Sequence, residues 1–285
     1  NPQTYALPHD PVRPLPYYEH PQSRLELPHA PPQRYVAARP DLPQGTLTAS
    51  SFRSTILGNE RRVWIYTPPG YQPDGPAYPL ALFTDGWFYH VVAPTILDNL
   101  HAEGRIPGLV AVFIDNTRAD RWHELTCSPA FADFLSQEVL AWASAQAHVA
   151  TDPAQTMIAG VSLGGLCATY TAWRHPDRFG LALSQTGSYW WAPEGEPELE
   201  WLARQVAASE PRAVRVYLDV GRLEYIHEEP FDGDPTQLTA NRHMRTVLQA
   251  KGYPVHYAEY TSGHEFLAVQ GSLAEGLTAL LGSAA

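Results

Sequence analysis

The chain has 285 residues, 44% of them hydrophobic, which is enough for one large α/β domain with a sizeable core. Its formal net charge of −11 argues against broad binding to nucleic acid or to anionic membrane surfaces. No apolar run reaches the length of a transmembrane helix, and the two cysteines, Cys127 and Cys167, do not stand in a metal-ligand spacing.

Residues 1–43 are rich in proline, for example Pro14, Pro16, Pro31 and Pro32. Proline removes backbone donors and blocks helices. The segment reads as an extended arm lying on the domain surface, and the rival reading is a disordered linker. Tyr5, Tyr17, Tyr18 and Tyr35 favour docking, because solvated linkers rarely carry so many aromatics. A compact domain is expected over residues 44–285. Thr46 to Thr55 and Glu60 to Thr67 read as antiparallel strands around the Gly58-Asn59 turn. Tyr78 to Phe83 is a short apolar strand, Ile96 to His101 belongs to a helix, and Leu109 to Ile114 is a buried strand. Phe131 to Ala147 has apolar residues at helical spacing. Strands follow at Met157 to Ala159, Leu181 to Ser184, Val214 to Val220 and Val255 to Tyr260. Helices are expected at Thr236 to Ala250 and Ser272 to Leu281. This alternation predicts a mostly parallel sheet covered on both faces, with antiparallel strands at its N-terminal edge.

The most informative stretch is Gly160-Val161-Ser162-Leu163-Gly164, between an apolar strand and a helix. In an α/β-hydrolase this pattern holds a serine on a strained elbow with its hydroxyl exposed. A serine hydroxyl needs a base, and the base needs an orienting carboxylate, in the order serine, acid, histidine. His264 follows the last strand and is the expected base, with His227 and His243 as alternatives. The acid is expected after the Val214 strand, where Glu224 lies. Asp232 and Asp234, on a longer loop, compete with it, a Ser-His dyad without an acid is the remaining alternative, and Asp219 sits inside the strand. The oxyanion needs two donors. The N–H of Leu163 is one, and the N–H of Trp87, after the Tyr78 strand, is assigned as the other. Arg118 and Arg121 lie on the loop after the Leu109 strand and are placed to hold an anionic or catechol-like ligand. The bland alternative is a surface ion pair with Asp120 or Glu124. Tyr189, Trp190 and Trp191 suggest stacking on flat rings, and the bland alternative is a core plug.

These segments together resemble the enterochelin (enterobactin) esterases, siderophore-ester hydrolases of the α/β-hydrolase fold. The resemblance rests on Asp85-Gly86, the run from Arg121 to Cys127, the elbow, Ser184-Gln185-Thr186-Gly187-Ser188-Tyr189-Trp190-Trp191, Gly221-Arg222-Leu223-Glu224 and Gly263-His264. It covers roughly residues 45 to 285. It implies hydrolysis of the serine trilactone of a tricatecholate siderophore, free or iron-loaded, with Ser162 as nucleophile, His264 as base, Glu224 as acid and Arg121 on the ligand side. No cofactor and no catalytic metal are expected, and any iron arrives with the substrate. Two-domain members carry a β-domain ahead of the hydrolase, and residues 25–33 resemble their interdomain connector. The alternative activity is that of a general carboxylesterase acting on aryl or acyl esters, as feruloyl esterases do. A non-catalytic siderophore-binding module is the third reading. No signal peptide is visible, so the expected compartment is the cytoplasm, with the periplasm as alternative.

Overall fold

A computed structural model describes residues 3–5, 22–24, 32–116, 120–225 and 235–282. Two short strands, β1 (Gln3–Tyr5) and β2 (Gln22–Arg24), pair antiparallel with each other. The main sheet begins with β3 (Thr46–Arg53) and β4 (Glu60–Thr67), joined through the Gly58-Asn59 turn as expected. It continues with β5 (Leu80–Phe83), β6 (Val110–Ile114), β7 (Thr156–Val161), β8 (Leu181–Gln185), β9 (Arg215–Gly221) and β10 (Val255–Tyr260). The spatial order is β10-β9-β8-β7-β5-β6-β4-β3. Neighbours from β10 to β6 run parallel, and β4 alone opposes both of its neighbours.

The central strands are buried throughout, so alternate side chains enter opposite layers with the strand period of two. Ala81, Phe83, Ala111, Phe113, Met157 and Ala159 face one layer. That layer is built by α1 (Gly86–Ala102) and α8 (Phe266–Leu281). Leu80, Leu82, Val110, Val112 and Ile158 face the other layer. There they meet α2 (Arg121–Leu125), α3 (Pro129–Asp133), α4 (Leu140–Gln146), α5 (Leu163–Arg174), α6 (Trp201–Ala208) and α7 (Gln237–Ala250).

Several elements differ from the sequence reading, among them α8, which starts at Phe266, six residues before Ser272. α1 starts at Gly86, ten residues before Ile96, and carries Pro94 inside it. Between α3 and α4, Phe134–Val139 winds as a π-helical turn, so one helical run spans residues 129–146 with a local change of pitch. The stretch from Arg121 to Leu125, read as loop, is the short helix α2. Part of the proline-rich arm docks on the α1/α8 layer. Gln33 Nε2 donates to Leu267 O at 2.7 Å, and Asn99 Nδ2 donates to Tyr35 O and Ala37 O at 2.8 and 2.9 Å. Tyr17 and Tyr18 lie outside the described residues.

Candidate active site

Because β5 to β10 run parallel, the loops at their C-terminal ends open on one edge of the sheet. Ser162 stands between β7 and α5 with φ 59° and ψ −120°, a strained backbone for a serine. Its N–H donates to Gln185 O at 2.9 Å, which ties the elbow to β8. A side chain at Gly164 would place its Cβ 2.6 Å from Thr84 Oγ1 and 2.9 Å from Asp85 Oδ2, so the turn after β5 packs directly on the elbow. Leu163 is the first residue of α5 and Trp87 the second of α1. At those positions an N–H has no acceptor within its own helix.

Glu224 and His264 are brought together, as the sequence reading expects. Glu224 Oε2 lies 2.5 Å from His264 Nδ1. Gly221 N–H donates to Glu224 Oε1 at 2.7 Å, and Thr186 Oγ1 donates to Oε2 at 2.5 Å. The carboxylate is buried, whereas 45% of the histidine side chain is exposed toward solvent. The two loops are bonded to each other by their backbones, Arg222 N to Tyr260 O at 2.7 Å and Leu223 N to Ser262 O at 3.0 Å. A Cβ on Gly221 would sit 2.3 Å from Ser262 O, so only glycine permits this approach. Ser162 Oγ meets Ser188 Oγ at 3.2 Å, and Ser188 N–H donates back to Ser162 O at 3.0 Å. Among the described residues no hydrogen bond joins Ser162 to His264. Such contacts commonly close only when substrate is bound.

The rival candidates separate. His243 is half-exposed on α7 and pairs with Glu200, a surface contact. His227, Asp232, Asp234 and Arg118 lie outside the described residues. Asp219 is buried in β9, accepts Thr186 N–H at 3.1 Å, and is pushed up to about 7 by burial, with the Glu224 charge acting in the same direction. Cys167 is fully buried and its thiol is pushed up to about 12 by burial, so it behaves as a small hydrophobe, as expected.

The aromatic run splits. Tyr189 has no exposed surface, and its hydroxyl bonds Thr169 Oγ1 at 2.6 Å. It is the core plug and offers no face for stacking, which corrects the expectation for this residue. Trp190 and Trp191 are half-buried, and Trp191 lies edge-on to Trp201 at 6.3 Å. The Trp190 ring lies 6.3 Å from that of Trp122, which is 45% exposed, and Trp190 Nε1 donates to Gln237 Oε1 at 2.6 Å.

Arg121 has a partner that the sequence does not single out. Its Nε and Nη2 donate to Asp85 Oδ1 and Oδ2, both at 2.7 Å. Three residues on, Glu124 receives Arg61 Nη2 at 2.6 Å and Asn116 Nδ2 at 3.1 Å. Residues three apart share a helix face. The Arg-x-x-Glu spacing therefore pins α2 inward at two points and leaves Trp122 and His123 outward. Asp85, Thr186 and Ser188 carry part of the family resemblance, but the sequence reading gives none of them a role in the site. The available signal is position, since each is a polar residue in a loop at the C-terminal end of a parallel strand.

This strand order, with a serine elbow after the fifth main-sheet strand and a histidine after the last, defines an α/β-hydrolase. The chain belongs to the "Putative esterase" family, whose pattern matches residues 54–280. It is 32% identical over 263 residues to an iron(III) enterobactin esterase of Escherichia coli, covering 90% of this chain and 62% of that protein. It is 29% identical to an iron(III) salmochelin esterase of Escherichia coli, over 80% of this chain and 56% of that protein. The chain thus spans little more than half the length of these curated relatives. The crystal structure of an enterobactin esterase from Shigella flexneri in the presence of enterobactin superposes with a TM-score of 0.76 at 32% identity, over 90% of this chain and 64% of that one. A ferulic acid esterase of Anaeromyces mucronatus gives a TM-score of 0.70 at 15% identity, over 91% of this chain and 99% of that one. That likeness shows the shared fold alone.

Proposed function

We propose that the chain is a serine esterase that hydrolyses the trilactone ester bonds of a tricatecholate siderophore, ferric or free. The observation that carries this reading is the contact of His264 with the buried Glu224 carboxylate, at 2.5 Å, on loops of the same sheet edge as the strained Ser162. The relatives named for enterobactin and salmochelin supply the substrate class.

In this reading Glu224 holds the proton on His264 Nδ1, which leaves Nε2 free to accept. Ser162 Oγ attacks the ester carbonyl and passes its proton to Nε2. The carbonyl oxygen becomes an oxyanion facing the N–H groups of Leu163 and Trp87. Collapse breaks the acyl–oxygen bond, and the imidazolium returns the proton to the leaving serine alkoxide of the substrate. Water, deprotonated by His264, then releases the acyl group from Ser162 and restores the enzyme. Trp122 and Trp190 offer aromatic faces for catechol rings.

The test is chromatography of products after mixing the protein with ferric and iron-free enterobactin, with Ser162→Ala as control. Serine-linked catecholate monomers or short linear oligomers, absent in the control, are expected. Turnover of simple aryl esters without siderophore cleavage would move the activity to a general carboxylesterase.

A further inference from the structure

The Asp85–Arg121 pair has no task in the chemistry above. Asp85 has no exposed surface, and about a third of the Arg121 side chain is exposed. Two parallel N–H···O bonds at 2.7 Å make a fork-to-fork pair. A guanidinium neutralised in this way presents little net charge to an anionic ligand. Its contacts act instead on the turn between β5 and α1. Asp85 holds the left-handed conformation, φ 52° and ψ 44°, as the residue that caps α1. Its N–H donates to Asn116 Oδ1 at 3.1 Å, and its carbonyl accepts from Phe88 and Tyr89 N–H at 2.9 and 3.3 Å. Its Oδ1 also accepts Trp87 Nε1 at 3.2 Å. The polar groups of Asp85 therefore all fix this one turn, and the turn carries the Trp87 N–H. Through Oδ2 the same carboxylate lies against Gly164, one residue after Leu163. The turn that carries the Trp87 N–H is thus packed on the elbow that carries the Leu163 N–H.

We infer that Arg121 is a positioning residue: through Asp85 it fixes the strained turn after β5 and so the aim of the Trp87 N–H at the oxyanion. The inference rests on the serine-esterase reading and changes what Arg121 does within it. An anion receptor would act on KM, and only for a charged substrate. A residue that aims an oxyanion donor acts on kcat, whatever the substrate charge. Loss of one such donor lowers kcat by about 10²–10³.

The experiment compares Arg121→Ala, Arg121→Lys and Ser162→Ala on neutral 4-nitrophenyl acetate and on ferric enterobactin. Arg121→Ala is expected to lower kcat by roughly 10² on both substrates with KM changed less than about threefold. Arg121→Lys restores a charge beside Asp85 without the fork and guards against a folding failure. It is expected to stay at least about tenfold low on both substrates. Guanidinium ion at a non-denaturing concentration should recover part of the Arg121→Ala kcat on both substrates and none of the Ser162→Ala activity. A wild-type kcat on the neutral ester, with KM raised for the siderophore alone, would overturn the inference and restore Arg121 as an anion receptor. Activity retained in Ser162→Ala would instead overturn the esterase reading itself.

Discussion

Replacing Glu224 with glutamine keeps the volume and removes the charge, so it isolates the acid of the proposed triad. In the native protein Oε1 accepts Gly221 N–H at 2.7 Å, and Oε2 serves Thr186 Oγ1 and His264 Nδ1, both at 2.5 Å. The substituted amide has one oxygen and one NH₂ for these three contacts. If the oxygen keeps Gly221, the NH₂ donates to Nδ1 and forces the proton onto Nε2, the tautomer that cannot accept from Ser162. If the amide flips, its NH₂ faces the Gly221 N–H in a buried site, and the imidazolium loses its counter-charge. Either arrangement should lower kcat by about 10⁴, about 5 kcal/mol of barrier, as in the analogous serine-protease substitution. The assay is steady-state hydrolysis of 4-nitrophenyl acetate and of enterobactin, with thermal unfolding to show that the fold is intact. A folded Glu224→Gln protein with kcat within tenfold of native would refute the assignment and send the search to Asp232 and Asp234.

Two further outcomes follow from the buried charges. Arg61 and Glu124 are both almost fully buried, so Arg61→Met strands a carboxylate that receives Asn116 alone, and urea unfolding should show a loss of about 3–5 kcal/mol; a loss below about 1 kcal/mol would contradict the burial argument. Asp219, pushed up to about 7 chiefly by burial, keeps a proton in the folded state that the unfolded chain has released above about pH 4. Its contribution to stability therefore falls as pH rises from about 4 to about 7 and is level above that. Asp219→Asn keeps an acceptor for Thr186 N–H and should flatten this slope in urea midpoints taken at pH 5 and pH 8. Parallel native and variant curves would refute it.

Much of the fold is legible in the sequence because the central strands are continuously apolar and short, the pattern of strands covered on both faces. The start of α1 is not, since Pro94 and Gly86 both speak against a helix, yet packing of Phe88, Tyr89 and Ile96 in the core outweighs them. The π turn leaves no trace because the buried Phe131, Leu135, Val139 and Ala143 recur every fourth residue, a spacing that α and π turns both hold roughly on one face. At the site, Ser162, Glu224 and His264 are legible from chain order and position after strands. The partner of Arg121 is not: Asp85 lies 36 residues away on another strand's loop, and nearer carboxylates compete for the pairing. Tyr189 reads like Trp190 in sequence, yet neighbours on an irregular loop can point to opposite sides of it, a choice fixed here by the bond to Thr169.

Five non-glycine residues among those described have positive φ, and three of them, Asp85, Ser162 and Thr186, surround the proposed reaction centre. Such positions cost roughly 1–3 kcal/mol each against a relaxed backbone. Selection for stability alone would favour glycine or asparagine there. A descendant freed from the proposed hydrolysis could drift toward those residues and become sturdier, so these three positions are where loss of the activity would first be written into the backbone.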